Sequence, residues 1–229
     1  KRGTFDRQIP LEIRRRYGDV MICNGNGACF SYDLNTPMCP SYKLTRDRRL
    51  SPKGRAGLAR EWLREMELAG ADLITEEDLE KGMTFRDYLA RCANTIRKSL
   101  GSYDFSHEVM ESLSECLACK ACSTQCPVKV DIANFRSRFL YMYHRRYLRP
   151  VRDYFVASAE AVLPYMARLP RIANLLMGNP LSRAVGEHAF GMVDLPALSY
   201  PTLSDIASRM GLPAFSLDAL RHLSPEQRS

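Results

Sequence analysis

Residues 116–127 read CLACKACSTQCP, a run of four cysteines that ends in a Cys-Pro pair. The spacing C-x2-C-x2-C-x3-C-P is typical of iron–sulfur ligation in bacterial ferredoxins. Gaps of two residues wrap a short loop around one cluster, so that three thiolates reach three of its irons. In proteins with two clusters the fourth Cys of such a run serves the other cluster, and the first cluster must take its fourth thiolate from elsewhere.

A second group of cysteines lies upstream and has the pattern of an incomplete copy of this run. Cys23 and Cys29 take the first and third positions, and Asn26 stands where the second Cys would be. Cys39 is followed by Pro40, which supplies the Cys-Pro end after a longer gap. The sequence therefore predicts two related cysteine loops.

An exchange of fourth ligands between the two loops predicts two clusters. The set expected to hold one [4Fe–4S] cluster is Cys116, Cys119, Cys122 and Cys39. The set expected at the second cluster has three thiolates: Cys126, Cys23 and Cys29. With Asn26 at the vacant corner, the second cluster is either [3Fe–4S] or [4Fe–4S] with a non-thiolate ligand. The alternative is a single cluster, in which Cys23 and Cys29 bind nothing and Cys39 or Cys126 is the fourth ligand.

Other roles for the cysteines fit the spacing less well. Disulfides are disfavoured because four cysteines so close together are a poor framework for a chain with a normal core. A zinc site favours two separated C-x2-C pairs over one continuous run. Cys92 differs from the rest because it falls on an apolar helical stripe, and we expect a buried structural thiol there.

Length and composition are those of an ordinary globular protein. The 229 residues suffice for one domain, alone or with a smaller appendage, and no run of eighteen apolar residues predicts a membrane span. The net charge of +7 is spread along the chain, which favours a solvated surface or an anionic partner over nucleic acid. A start at Lys1, without an initiator Met, is typical of a piece of a longer chain.

The period of the apolar residues predicts an all-α fold, with the two cysteine loops between helices and a Pro-containing helical arm at the C-terminus. Expected helices begin at the caps Ser51, Ser106 and Asp131, and a further helix starts at Thr84. A short acidic helical turn follows Thr75, and a helical pair hinges near Pro164. We divide the chain into a basic lead-in at 1–22, an iron–sulfur domain at 23–150 and a helical connector at 151–229.

The remaining charged and titratable residues give weaker signals. Lys120 and Lys129 flank the cysteine run, either as ordinary solvated lysines or as charges that favour a reduced cluster. None of the four histidines repeats at metal or triad spacing, so we expect them at the surface; they are His107, His144, His188 and His222.

Several segments together resemble one protein family. They are 23–29 (CNGNGAC), 38–42 (MCPSY), 45–47 (TRD), 51–56 (SPKGRA), 60–64 (REWLR) and 147–150 (YLRP). They are similar to the iron–sulfur segment of large FAD-linked 2-hydroxyacid dehydrogenases, nearest to the bacterial D-2-hydroxyglutarate dehydrogenase type. The S-P-[KR]-G-R element also occurs in the glycolate oxidase iron–sulfur subunit, so it marks the superfamily and leaves the substrate open.

This resemblance implies an α-helical ferredoxin fold that passes electrons singly from a flavin to an external acceptor, either quinone or an electron-transfer protein. It implies an FAD-binding module before this segment and a cysteine-rich module after it, so we do not expect the segment to be catalytic alone. The substrate class is D-2-hydroxyglutarate, with D-lactate or glycolate open. We expect a cytoplasmic location, with peripheral attachment to the inner membrane and oligomerisation open. The alternative functions are an iron–sulfur protein that binds nucleic acid and a structural zinc domain.

Overall fold

The regular structure of the chain is helical. The structure, a computed structural model, describes residues 4–74, 84–193 and 196–211, and within these ranges no β-strand occurs. The expected all-α class is therefore confirmed. The acidic helical turn expected after Thr75 lies outside the described residues.

The chain divides into two compact units, Lys1–Leu148 and Arg149–Ser229. The α-helices of the first unit are α1 (Leu11–Arg16), α2 (Gly18–Met21), α3 (Pro40–Thr45), α4 (Pro52–Leu68), α5 (Phe85–Ser99), α6 (Ser106–Ser114), α7 (Ala121–Gln125) and α8 (Ile132–Arg146). Its 3-10 turns are Asp6–Gln8, Ala28–Phe30 and Arg48–Leu50. The second unit has α9 (Val151–Met166), α10 (Pro170–Gly178), α11 (Pro180–Phe190) and α12 (Leu203–Arg209). Among the described residues, no helix is both long and apolar enough to cross a membrane.

The core of the first unit is built on α4 and α8, the long helices that follow the two cysteine loops. Trp62 of α4 meets Phe139 of α8 edge to face, with ring centroids 5.0 Å apart, and Phe135 packs beside them. All three rings are almost completely buried. Burying large aromatic side chains supplies much of the stabilisation of a small core. The start of each long helix is thereby fixed next to its loop.

Two of the three expected helix caps, Ser51 and Asp131, are confirmed, and Thr84 caps the helix that was expected to start there. Ser51, Thr84 and Asp131 each accept a hydrogen bond from a main-chain N–H group in the first turn of their helix. The cap expected at Ser106 is wrong. Ser106 is the first residue of α6, its N–H group donates to the carboxylate of Asp104, and its hydroxyl accepts from the indole N–H of Trp62.

The helical pair expected around Pro164 is present, but the turn between its helices comes a few residues after Pro164. Pro164 lies within α9, which continues to Met166, and the next helix begins at Pro170. Pro164 has no N–H group to donate, but only two residues of α9 follow it, so the proline does not bend the helix into two parts. The chain turns instead at Leu169, whose φ and ψ angles of −131° and 60° lie outside the helical region.

The apolar stripe of α5 faces away from the core, contrary to expectation. Its polar side is turned inward, where the buried Arg91 donates to the carbonyl of Tyr147 and Asn94 donates to the carbonyl of Arg146. These bonds satisfy main-chain carbonyls at the end of α8, and they fix which side of α5 faces inward. Cys92 is consequently half-buried and not a core thiol.

The first turn of α4 lies against the 3-10 turn Arg48–Leu50 so closely that only glycine fits at position 54. A Cβ atom on Gly54 would lie 2.1 Å from the main-chain oxygen of Arg48 and 2.6 Å from that of Arg49. Gly57, one turn further along α4, has no neighbouring atom within 4 Å of the same position.

We expect Gly54→Ala to lower the free energy of unfolding by about 2–4 kcal/mol, because main-chain atoms must move to admit the methyl group. Gly57→Ala is the matched control and should raise it by about 0.5–1 kcal/mol, through better helix propensity. Urea unfolding measures the free energy of unfolding of both variants and of the wild type. Equal effects would contradict the close approach at Gly54.

Candidate metal centre

Cysteines from the two groups, which lie far apart in the sequence, line one cavity of the first unit. Cys39 comes from the upstream group, and Cys116, Cys119 and Cys122 come from the downstream run. These are the four residues expected on the [4Fe–4S] cluster. Cys39 and Cys122 are buried, Cys116 is half-buried and Cys119 is exposed at the mouth.

The backbone around this cavity is bent into left-handed conformations that non-glycine residues rarely adopt. Ala118 has a φ angle of 52° and Lys120 one of 58°, on either side of Cys119, and Cys39 itself has one of 38°. Such residues are costly and cluster at functional sites. Alternation of right- and left-handed residues turns successive N–H groups towards one side, which forms an anion-binding concavity of the kind found at iron–sulfur sites.

Two of the cysteine thiols, those of Cys122 and Cys29, contact the N-terminus of a long helix. The Cys122 thiol accepts from the N–H groups of Ile132 and Ala133 in the first turn of α8. The Cys29 thiol accepts from the N–H group of Lys53 in the first turn of α4. Burial raises the pKa of both thiols, and the helix N–H groups act against it. A helix N-terminus favours negative charge, so at both positions the helix offsets part of the cost of burying a thiolate.

The cysteines of the upstream group lie near one another. Cys23 and Cys29 are buried, and the thiol of Cys29 interacts electrostatically with those of Cys23 and Cys39. Arg60 of α4 holds the end of α2 and the start of the upstream loop in place, because its guanidinium donates to the carbonyl of Met21 and to that of Cys23. Cys126 is half-buried and packs against the core, and its place with Cys23 and Cys29 stays a prediction.

Asn26 uses its side chain to shape the loop. Its Oδ1 atom accepts from the N–H group of Ala28 at 2.9 Å, and its Nδ2 atom donates to Oδ1 of Asn24 at the same distance. Asn26 is exposed, and Gly27 beside it has a φ angle of 81°. Asn26 therefore stabilises a turn at the position that corresponds to Cys119 in the downstream run.

A direct tie joins the segments that flank the two loops. The N–H group of Asp131, ahead of α8, donates to the carbonyl of Asp19 in α2 at 3.0 Å. Asn134 donates to the Asp19 carboxylate at 3.0 Å, and Arg138 forms an ion pair with it at 3.7 Å. Since Asp19 precedes Cys23 and Asp131 follows Cys126, the entrance of one loop is held beside the exit of the other.

Lys120 is largely exposed, and its ammonium group lies 3.8 Å from the carboxylate of Asp131.

The expectation that all four histidines lie at the surface is wrong. His144 is buried, and His107 is half-buried with Nδ1 3.0 Å from the Tyr143 hydroxyl. His188 is exposed as expected, and His222 lies outside the described residues.

The donors around the cavity fit an iron–sulfur cluster. Four thiols, a concave loop and a helix N-terminus surround one space, and thiolates with main-chain N–H donors are the protein ligands and environment of such clusters. In the ranges that the structure describes, no three His, Cys, Asp or Glu side chains form a group that could hold a single metal ion. The cysteines are instead arranged around a cavity.

Comparisons with known proteins agree with this chemistry. The family described as the 4Fe-4S dicluster domain matches residues 19–130. D-2-hydroxyglutarate dehydrogenase of Escherichia coli is 51% identical over 231 residues, a match that covers 100% of this chain and 23% of the relative. The enzymes of the same name from Pantoea ananatis and Haemophilus influenzae are 49% and 42% identical, over 23% and 22% of their lengths. The search of solved structures found no match.

The chain thus spans less than a quarter of the length of the curated relatives it matches. The resemblance to the iron–sulfur segment of such dehydrogenases is confirmed over the whole chain. Residues 19–130, which contain all eight cysteines, match the family described as the 4Fe-4S dicluster domain.

Proposed function

We propose that this chain is the electron-transfer segment of an FAD-dependent D-2-hydroxyglutarate dehydrogenase. The observation that carries the proposal is the cavity in which Cys39 joins Cys116, Cys119 and Cys122. A Cys-Pro cysteine of one group thus completes the ligand set of the other, as in ferredoxins with two clusters. The names of the relatives, at 42–51% identity, support the substrate over D-lactate or glycolate.

The residues of the chain would hold two clusters. Cys39, Cys116, Cys119 and Cys122 hold a [4Fe–4S] cluster, and Cys23, Cys29 and Cys126 hold the second. The tie between Asp19 and Asp131 supports this exchange, because it holds the ends of the two loops together. An iron–sulfur cluster supplies one-electron transfer, and the buried thiols and helix N-termini shield its charge from water.

The rest of the enzyme supplies the remaining chemistry. An FAD-binding module oxidises the D-2-hydroxyacid, and the clusters of this segment pass electrons singly from the reduced flavin to quinone or an electron-transfer protein. A further cysteine-rich module follows this segment in the enzyme. Within the segment, we divide the chain into a lead-in at 1–22, a cluster domain at 23–150 and a connector at 151–229. The substrate pocket lies outside these 229 residues, and the enzyme is cytoplasmic.

The second cluster has three thiolates, and Asn26 stands where a fourth would be. Because the Asn26 amide is bonded within its loop, we expect a [3Fe–4S] cluster there, which is paramagnetic when oxidised. Asn26→Cys should convert it to [4Fe–4S] and abolish the electron paramagnetic resonance (EPR) signal of the oxidised protein. Asn35→Cys, which adds an exposed thiol elsewhere in the same loop, should leave the signal unchanged. A silent oxidised wild type with a full complement of iron would contradict the three-iron assignment.

The proposed reaction can be followed in the intact protein under anaerobic conditions. D-2-hydroxyglutarate should bleach the flavin and then reduce the clusters, and the L-enantiomer should do neither. In Cys39→Ser the flavin should still be bleached, while the EPR signal of the reduced [4Fe–4S] cluster should be lost. Cys92→Ser is the matched control and should behave as wild type, because Cys92 lies outside the cavity.

Three results would overturn the proposal. Clusters that dithionite reduces but D-2-hydroxyglutarate does not would remove the proposed electron path. Zinc in place of iron and sulfide in anaerobically purified protein would indicate the structural zinc domain. Tight, sequence-dependent binding of duplex DNA at roughly physiological salt would indicate the nucleic-acid function.

A further inference from the structure

Arg55 lies against the cluster cavity and is almost completely buried. It is the arginine of the Ser51-Pro52-Lys53-Gly54-Arg55 element and belongs to the first turn of α4. Only 2% of its surface is exposed, and it lines the cavity together with the four cysteines. Nη1 lies 3.7 Å from the Sγ atom of Cys39, within the range of an N–H···S hydrogen bond.

The guanidinium is held in a fixed orientation by neutral acceptors. Nε donates to the carbonyl of Ser112 at 2.9 Å, and Nη1 and Nη2 donate to the hydroxyl of Ser41 at 3.2 and 3.1 Å. Ser112 lies near the end of α6, four residues before Cys116, and Ser41 lies two residues after Cys39. Arg55 therefore connects the two chain segments that supply ligands to the same cavity.

The buried charge of Arg55 has no carboxylate partner in the described part of the chain. None of the ion pairs there includes Arg55. An isolated buried cation is costly, because burial removes it from water without supplying an opposite charge. The negative charge nearest to it in the holoprotein is that of the thiolates and the cluster.

We propose that Arg55 sets the reduction potential of the [4Fe–4S] cluster held by Cys39, Cys116, Cys119 and Cys122. The inference rests on the cluster site of the proposed function. Arg55 touches no reacting atom of the substrate, so it is a positioning and charge-compensating residue that acts through Cys39.

The sign of the effect follows from electrostatics. Reduction adds one negative charge to the cluster, and a fixed positive charge beside it stabilises the reduced form more than the oxidised form. The N–H···S hydrogen bond to Cys39 acts in the same direction, since it withdraws charge from the thiolate. Arg55 therefore raises the potential. Because the group is buried, solvent screens this effect less than it screens the charge of the exposed Lys120.

The test is a potentiometric titration of the intact protein, with the EPR signal of the reduced [4Fe–4S] cluster as the readout. Arg55→Gln, which keeps donors but removes the charge, should shift the midpoint to more negative potential with iron and sulfide content unchanged. Arg55→Lys should stay close to wild type. Lys120→Gln, the control at the cavity mouth, should shift the midpoint less than Arg55→Gln.

Each outcome decides the question. An unchanged midpoint in iron-loaded Arg55→Gln overturns the inference, as does a shift in Lys120→Gln of equal size. If Arg55→Gln fails to assemble the cluster, Arg55→Lys becomes decisive. A loaded Arg55→Lys protein with the wild-type midpoint supports the role of charge, whereas failure of both variants shows that Arg55 is only structural. Absence of iron and sulfide from the wild type would instead refute the proposed function.

Discussion

Negative charge has to be accommodated in the interior of this protein, because cysteines bind metal as thiolates and several of them are buried. The helix N-termini offset part of the cost of this charge. Cys122 accepts N–H groups from the start of α8, and Cys29 accepts one from the start of α4. Arg55 adds a full positive charge beside Cys39. The N-termini of α4 and α8 therefore point to the cysteine loops, and the aromatic contacts between the two helices hold them there.

The same requirement explains the close packing around α4. For Lys53 and Arg55 to reach the cysteines, the first turn of α4 must lie on the Arg48–Leu50 turn, which leaves no room for a Cβ atom at Gly54. The downstream half is organised in a parallel way, with Asp131 capping α8 and bonded to Asp19 at the entrance of the upstream loop. Each half thus supports the other, which is the arrangement expected where two loops exchange ligands.

The period of the apolar residues was sufficient to predict the all-α fold, and an exchange of fourth ligands between the two cysteine loops predicted that Cys39 lies with Cys116, Cys119 and Cys122, which line one cavity. Contacts between residues that are far apart in the sequence could not be predicted from local patterns. The apolar stripe of α5 predicted a buried Cys92, but main-chain carbonyls at the end of α8 bind the polar side of that helix. The side-chain oxygen of Ser106 bonds to Trp62 and not to its own helix, a choice that depends on a residue far away in the sequence. The sequence marked Arg55 only as a member of the S-P-K-G-R element. Its contacts with Ser41, Cys39 and Ser112 could be recognised only in the folded structure.

The central claim is that the two cysteine groups exchange a ligand. The most direct measurement is a crystal structure of the intact protein, grown anaerobically, with anomalous scattering recorded at the iron edge. We expect iron in the cavity between Cys39 and Cys116, Cys119 and Cys122, with the sulfur of Cys39 as the fourth ligand. Iron bound there by Cys126 in place of Cys39, or no iron in the cavity, would contradict the account.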